Sequence, residues 1–257
     1  MTKQKVRGLV LREYEAGESD KRLVLFCKGQ GRLMVYARGA RKPTSKFMAA
    51  AQLFTYADFV LTQGSGFYAL AQADIIENFY PLREDYDRLM AAHMIAEVCE
   101  KTMWDNLESD ELLRLALKSL SVLAKGRTPP VQVSSVFLIR FFDVYGLRPQ
   151  TDTCAVCNRL LAKWSEAGEN VLELGSISAR GKDVKFVLTA EGPVCDAHKP
   201  AVHQPLSNAV MSALQYILNS DLLHAFRFTA QDDVLAELNK AAMFLWKCHF
   251  DWSIVSV

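Results

Sequence analysis

The chain has 257 residues, half of them hydrophobic and 23% charged, with a formal net charge of +1. This is a globular composition, enough for one large core or two of ordinary size, and it excludes a disordered chain. The near-zero total conceals a split, because residues 1–48 hold twelve Lys or Arg against four Asp or Glu and the remainder holds eighteen against twenty-five.

A basic module joined to a mildly acidic body points to a polyanionic partner, a solvated charged face being the plainer alternative. The opening MTKQKVRGLVLREYE has no apolar run of signal-peptide length. The most hydrophobic later run, VSSVFLIRFFDVYG, is interrupted by Arg140 and Asp143 and is too short to span a bilayer. A soluble, cytoplasmic protein is expected.

Five stretches in the first eighty residues, 6–14, 21–28, 31–38, 53–62 and 66–73, are rich in Val, Leu, Phe and Tyr with partial period-two alternation. They are predicted as strands, with KGQGR (28–32) and TQGSGF (62–67) as glycine turns. Closure into a small barrel would remove the edges that an open five-stranded sheet exposes. The pattern suits an OB-fold, and an SH3-like barrel has a similar strand count.

From Pro81 the period becomes helical: Tyr86, Leu89, Met90, His93, Met94 and Val98 share one spacing, with acids in the first turn. A second helix is predicted in ESDELLRLALKSLSVLAKG, capped by Ser109 and stopped by Gly126. A third starts at a Pro pair and ends by Gly146, and two more are expected near 207–219 and 232–249. A polar insert, about 150–204, contains strand-like VLELGSIS and KDVKFVLT. The expected class is therefore α+β: a five-stranded barrel over 1–80, then an α-helical domain over 81–257 carrying the insert.

Cys27, Cys99 and Cys248 stand among apolar neighbours and are read as small hydrophobes. TCAVCN and PVCDAHK instead place Cys154 and Cys157, then Cys195 and His198, as two pairs with two residues between ligands. Such spacing lets two tight turns close a tetrahedron around zinc. A Cys154–Cys157 disulfide is the weaker rival in a reducing compartment. Four protein ligands leave no position for an activated water, so one structural ion is expected rather than a catalytic one. A nucleobase deaminase would need a His-x-Glu, and none of the five histidines has a Glu two residues on.

ARGARKPTSKF, residues 37–47, falls where strand 3 would leave for strand 4. Gly39 lets the backbone approach a phosphate, Pro43 blocks a helix, and Arg38, Arg41, Lys42 and Lys46 are candidates for neutralising phosphates. Lys21, Arg22 and Arg32, from the same acid-free run of residues 21–48, complete the candidate set. Tyr36, Phe47, Phe54 and Tyr56 flank the strip, either as base-stacking platforms or as core. Neither a phosphate-binding P-loop, a GxSxG elbow nor an HExxH motif is present, so nothing points to an enzyme.

GLVLREYEAGESDKRLVLFCKGQGRLMVYARGARKP, ADIIENFYPLREDYDRL and FLIRFFDVYGLRPQTDTCAVC, taken in order, resemble the RecO family of bacterial recombination mediators over nearly the whole chain. His198 stands where many relatives carry a fourth cysteine, a change that keeps tetrahedral competence. The resemblance implies an OB-fold on a helical body that binds single- and double-stranded DNA and anneals complementary strands. It also implies cooperation with RecR and single-stranded DNA-binding protein (SSB) in loading RecA, at the bacterial nucleoid, with no catalytic residues. An adaptor acting mainly through its helical body is the alternative. In that case Phe137, Arg140 and Phe141 are the candidates for receiving the acidic, apolar-ended SSB tail, although a buried helix with one snorkelling arginine explains the same residues.

Overall fold

The computed structural model describes residues 2–64, 67–103, 109–161 and 186–254. They form two compact units, Met1–Lys125 and Gly126–Val255.

Five strands build the first unit: β1 (Lys3–Ala16), β2 (Asp20–Cys27), β3 (Gly31–Ala37), β4 (Tyr56–Gln63) and β5 (Tyr68–Glu77). They close in the order β1-β2-β3-β5-β4, with β4 returning antiparallel to β1 and β3 meeting β5 in parallel. That order is OB-like and resolves the choice that the strand count left open. β1 outruns its expected 6–14 because Lys3–Leu9 pair with β4 while Gly8–Ala16 pair with β2, with a bulge between Val10 and Arg12. A strand shared between two neighbours at a barrel corner needs this length and this bend.

Val6, Val10, Leu23, Leu25, Leu33, Val35, Phe59 and Leu61 fill the barrel. Leu9, Val24 and Phe26 lie at the alternate positions of β1 and β2, yet they too are buried. Helix α1 (Tyr86–Thr102) packs on these two strands, so the pair reads as apolar on both faces. Asp85 caps α1 by accepting from the Arg88 amide. Helix α2 (Asp110–Lys125) packs on α1, with Leu112, Leu113, Leu115, Ala116 and Leu120 buried.

The second unit centres on α3 (Pro130–Val144), with Val133, Val136, Phe137, Leu138, Ile139, Phe141 and Phe142 all buried. It packs against α4 (Asn208–Asn219) and α5 (Asp232–His249), and Phe141 meets Trp246 of α5 at a centroid distance of 5.6 Å. The Ser207 hydroxyl caps α4 by accepting from the Val210 amide. A small antiparallel sheet, β7-β6-β8, joins Phe186–Leu188 (β6), Pro193–Val194 (β7) and Gln204–Leu206 (β8). The expected strand in VLELGSIS lies outside the described residues; of KDVKFVLT, Phe186–Leu188 form β6. Among the described residues no helix is long and apolar enough to cross a membrane.

Candidate nucleic-acid interface and metal centre

The β3–β4 connection is a plug with two faces. Ala40, Phe47 and Ala51 point into the barrel core, while Arg38, Arg41, Lys42 and Lys46 are exposed on the other side. The connection is tied to the β1–β2 turn: the Gly39 amide donates to Asp20 Oδ1 at 2.7 Å, and the Arg41 amide donates to the Ser19 carbonyl at 2.9 Å. Gly39 has φ +66°, which a side chain would strain, so the turn Gly39–Lys42 needs glycine there.

The seven candidate cations are not equivalent. The Lys21 ammonium pairs with Glu13 and donates to the Ala51 carbonyl at 3.2 Å. Arg22 lies over the Tyr14 ring, 5.0 Å from its centroid, and Arg32 donates to the Glu100 carbonyl of α1 at 3.4 Å. All three are half-buried and engaged inside the protein. Arg41 is exposed but bonded to Glu15 at 3.0 Å and to the Gly17 carbonyl at 3.2 Å. Lys46 reaches the Ala71 carbonyl of β5 at 3.4 Å and lies 4.9 Å from the centroid of the Phe47 ring. The side chains of Arg38 and Lys42 have no polar partner among the described residues.

The flanking aromatics divide as well. Phe47 and Phe54 are core residues, and Tyr56 is half-buried at the start of β4. Tyr36 is half-buried on the outer side of β3, edge to face with Phe67 at 5.5 Å. Phe67, 39% exposed, carries no signal in the sequence beyond its place after a glycine turn.

Cys154, Cys157, Cys195 and His198 are brought together by backbone bonds between the first knuckle and the β6–β7 hairpin. The Ala155 amide donates to the Pro193 carbonyl at 3.0 Å, and the Gln150 amide donates to the Glu191 carbonyl at 3.3 Å. Cys157 Sγ lies 3.9 Å from Cys195 Sγ, and His198 Nδ1 lies 3.2 Å from Cys195 Sγ and 3.8 Å from Cys154 Sγ. All four donors fall within 4.8 Å of one another. A tetrahedron with zinc–sulfur arms of about 2.3 Å has edges of about 3.8 Å, so this set fits one metal ion. All the cysteines are free thiols, including the Cys154–Cys157 pair. Burial opposes ionisation of Cys154, but hydrogen bonds from the backbone at Cys157, Cys195 and Val156 more than offset this and bring it down to about 6.

The Recombination protein O N terminal family model matches residues 1–79, and the Recombination protein O C terminal model matches residues 83–250. The chain belongs to the RecO family. It is 32% identical over 243 residues to the DNA repair protein RecO of Acetivibrio thermocellus, covering 93% of this chain and 88% of that protein. DNA repair proteins RecO of Bacillus cereus (strain AH187) and Bacillus anthracis are each 33% identical over 156 residues, covering 61% of this chain and 62% of theirs.

The two RecO models meet at the 3-10 turn Tyr80–Arg83, which joins β5 to α1. In the RecO C-terminal region, Phe137 and Phe141 are fully buried, a correction to any expectation that they face a partner. A helix buried on every side from Gln132 to Ile139 offers little periodicity from which a surface face could be chosen. Arg140, 14% exposed along its side chain, donates to the Leu218 carbonyl at 3.2 Å, to the Ser220 carbonyl at 2.7 Å and to Asp143 at 3.1 Å. It ties off the C-terminal end of α4.

Proposed function

We propose that this chain is a DNA repair and recombination mediator that binds single- and double-stranded DNA and anneals complementary strands. Together with RecR it helps load RecA onto SSB-coated single strands. RecO membership supports the class, and the observation that carries the mechanism is the exposed pair Arg38 and Lys42, whose side chains have no polar partner among the described residues, on a turn hydrogen-bonded to Ser19 and Asp20. Cations held this way neutralise phosphates without reading sequence, which lowers the repulsion between two backbones. Residues 1–80 are assigned the DNA-binding role and 81–257 the interaction role, with Lys21, Arg22 and Arg32 as a supporting belt behind the strip.

The reading is non-enzymatic and assigns no catalytic residue. One structural zinc on Cys154, Cys157, Cys195 and His198 would hold the two knuckles of the insert together. The working place is the bacterial cytoplasm, at the nucleoid.

The deciding experiment follows annealing of complementary oligonucleotides coated with SSB, with the chain and with its Arg38→Ala/Arg41→Ala/Lys42→Ala/Lys46→Ala variant. Acceleration by the wild type and its loss in the variant are expected. Acceleration that survives all four substitutions would move the DNA-binding face elsewhere.

A second reading makes the helical unit the docking body for the acidic SSB tail. It is favoured by a groove in that unit lined by Leu147, Arg148, Gln150, Asn158, Glu191 and His249, where Arg148 is 42% exposed along its side chain while pairing with Asp143 at 3.0 Å. Titration of a tail peptide against Arg148→Ala and Arg140→Ala tests it; undiminished affinity in both would remove this surface.

A further inference from the structure

We propose that Phe67, braced by Tyr36, is a stacking platform for one unpaired base. The barrel would then grip a single strand by base and backbone together, and a duplex by backbone alone. This rests on the cationic strip being the nucleic-acid interface and names the substrate feature that the same site distinguishes.

Four observations lead there. Phe67 is exposed at the β4–β5 connection, but its ring is held: it meets Tyr36 edge to face at 5.5 Å and 72°. It also lies so close to Gly64 that a Cβ there would be 3.3 Å from the ring tip. The connection is closed by the Gly64 amide donating to the Phe67 carbonyl at 2.9 Å. Finally, the parallel β3–β5 register sets Tyr36 opposite Ala69, while Lys46 binds the carbonyl of Ala71, two residues further along β5. Arg38, exposed, opens the turn that follows β3, two residues after Tyr36.

Tyr36, which braces the ring, is thus offset along the seam by two residues, about 7 Å, from the level at which Lys46 is held, which is the reach of a single nucleotide. An exposed aromatic ring offers every base the same face, so it adds affinity without sequence preference. It cannot engage a base that remains stacked in a duplex. An edge-braced ring also has little rotamer freedom left to lose on binding.

The test uses the full chain and three probes of equal length: an oligothymidylate, an abasic single strand and a duplex. Phe67→Ala and Phe67→Leu should weaken oligothymidylate binding by about 5-fold or more, with binding to the abasic strand and the duplex, and the salt slope, unchanged. Phe67→Trp should restore it. Leucine keeps apolar contact with Gly64 and Tyr36, so a folding defect would not explain its loss. An equal loss on all three probes, or no loss on oligothymidylate, overturns the proposal. If the four-cation variant loses every probe while the Phe67 variants lose none, stacking alone fails. If the four-cation variant loses nothing, the interface beneath it fails too.

Discussion

Arg41 Nη2 lies 3.0 Å from Glu15 Oε1, whereas Arg38 and Lys42 on the same connection have no side-chain partner among the described residues. Each free cation that meets a phosphate releases counterions, so Arg38→Ala and Lys42→Ala should each flatten the log–log salt dependence of single-strand binding by roughly 0.7. Arg41→Ala should flatten it less. The Glu15 carboxylate is 73% exposed, and pairs of this kind are worth about 0–1 kcal/mol. Glu15→Gln should therefore release Arg41 and tighten DNA binding by up to about 5-fold at low salt. Anisotropy titrations over a salt series give both quantities, and weaker binding by Glu15→Gln would contradict the competition.

One metal ion per chain is expected by elemental analysis, and cobalt substitution should give the absorption of a tetrahedral site with three thiolates. Structural zinc sites supply on the order of 10 kcal/mol of folding energy, so chelation or Cys195→Ser should lower the melting temperature of the zinc-bearing unit sharply. His198→Cys should keep the metal. A chelated protein that melts as the untreated one does would show that the four donors meet without needing an ion.

Burial pushes the Cys27 thiol up to about 12 and raises Cys99 as well. Thiolate is the reactive species, so iodoacetamide at pH 8 should leave both unmodified in the folded chain while it labels the exposed Cys248, slowly, because partial burial and Glu191 raise that thiol too. After chelation Cys154, Cys157 and Cys195 should join it, as read by peptide mass spectrometry. The sign for stability follows from the same shift. Below the ordinary thiol value of 9.0 both states are protonated; between there and about 12 only the unfolded chain ionises, so stability falls as pH rises through that window. Cys27→Ala should lessen that alkaline loss.

Gly192 has φ +138°, and a Cβ there would lie 2.5 Å from the Gln150 carbonyl oxygen. Its neighbour Glu191 receives the Gln150 amide, so any retreat would part the hairpin from the first knuckle. Gly192→Ala should destabilise the unit by about 1–3 kcal/mol and weaken metal retention together. Unfolding of Gly192→Ala followed with and without added zinc checks both effects.

Element type was legible in the sequence because periodicity, caps and turn residues act locally: α4 spans Asn208–Asn219 against an expected 207–219, and α5 spans the expected Asp232–His249. The metal cluster was legible for the same reason, since each knuckle encodes its own pair of donors two residues apart. The OB-fold was expected from the strand pattern, but the pairing behind it was not legible, because strand count does not specify that β3 meets β5 in parallel or that β1 serves two neighbours.

The sequence alone also determined that the first 48 residues carry the excess of positive charge. Tertiary structure decided which of those charges are free, because Glu13 takes Lys21, Glu15 takes Arg41 and Glu100 takes Arg12 only once the strands and α1 are in place. It likewise buried Phe47 and Phe54 beside the strip, buried Phe137 and Phe141 in α3, and left Phe67 exposed. Composition is a property of a segment. Exposure is set by whichever distant segment packs against it, and that choice is made by the whole core at once.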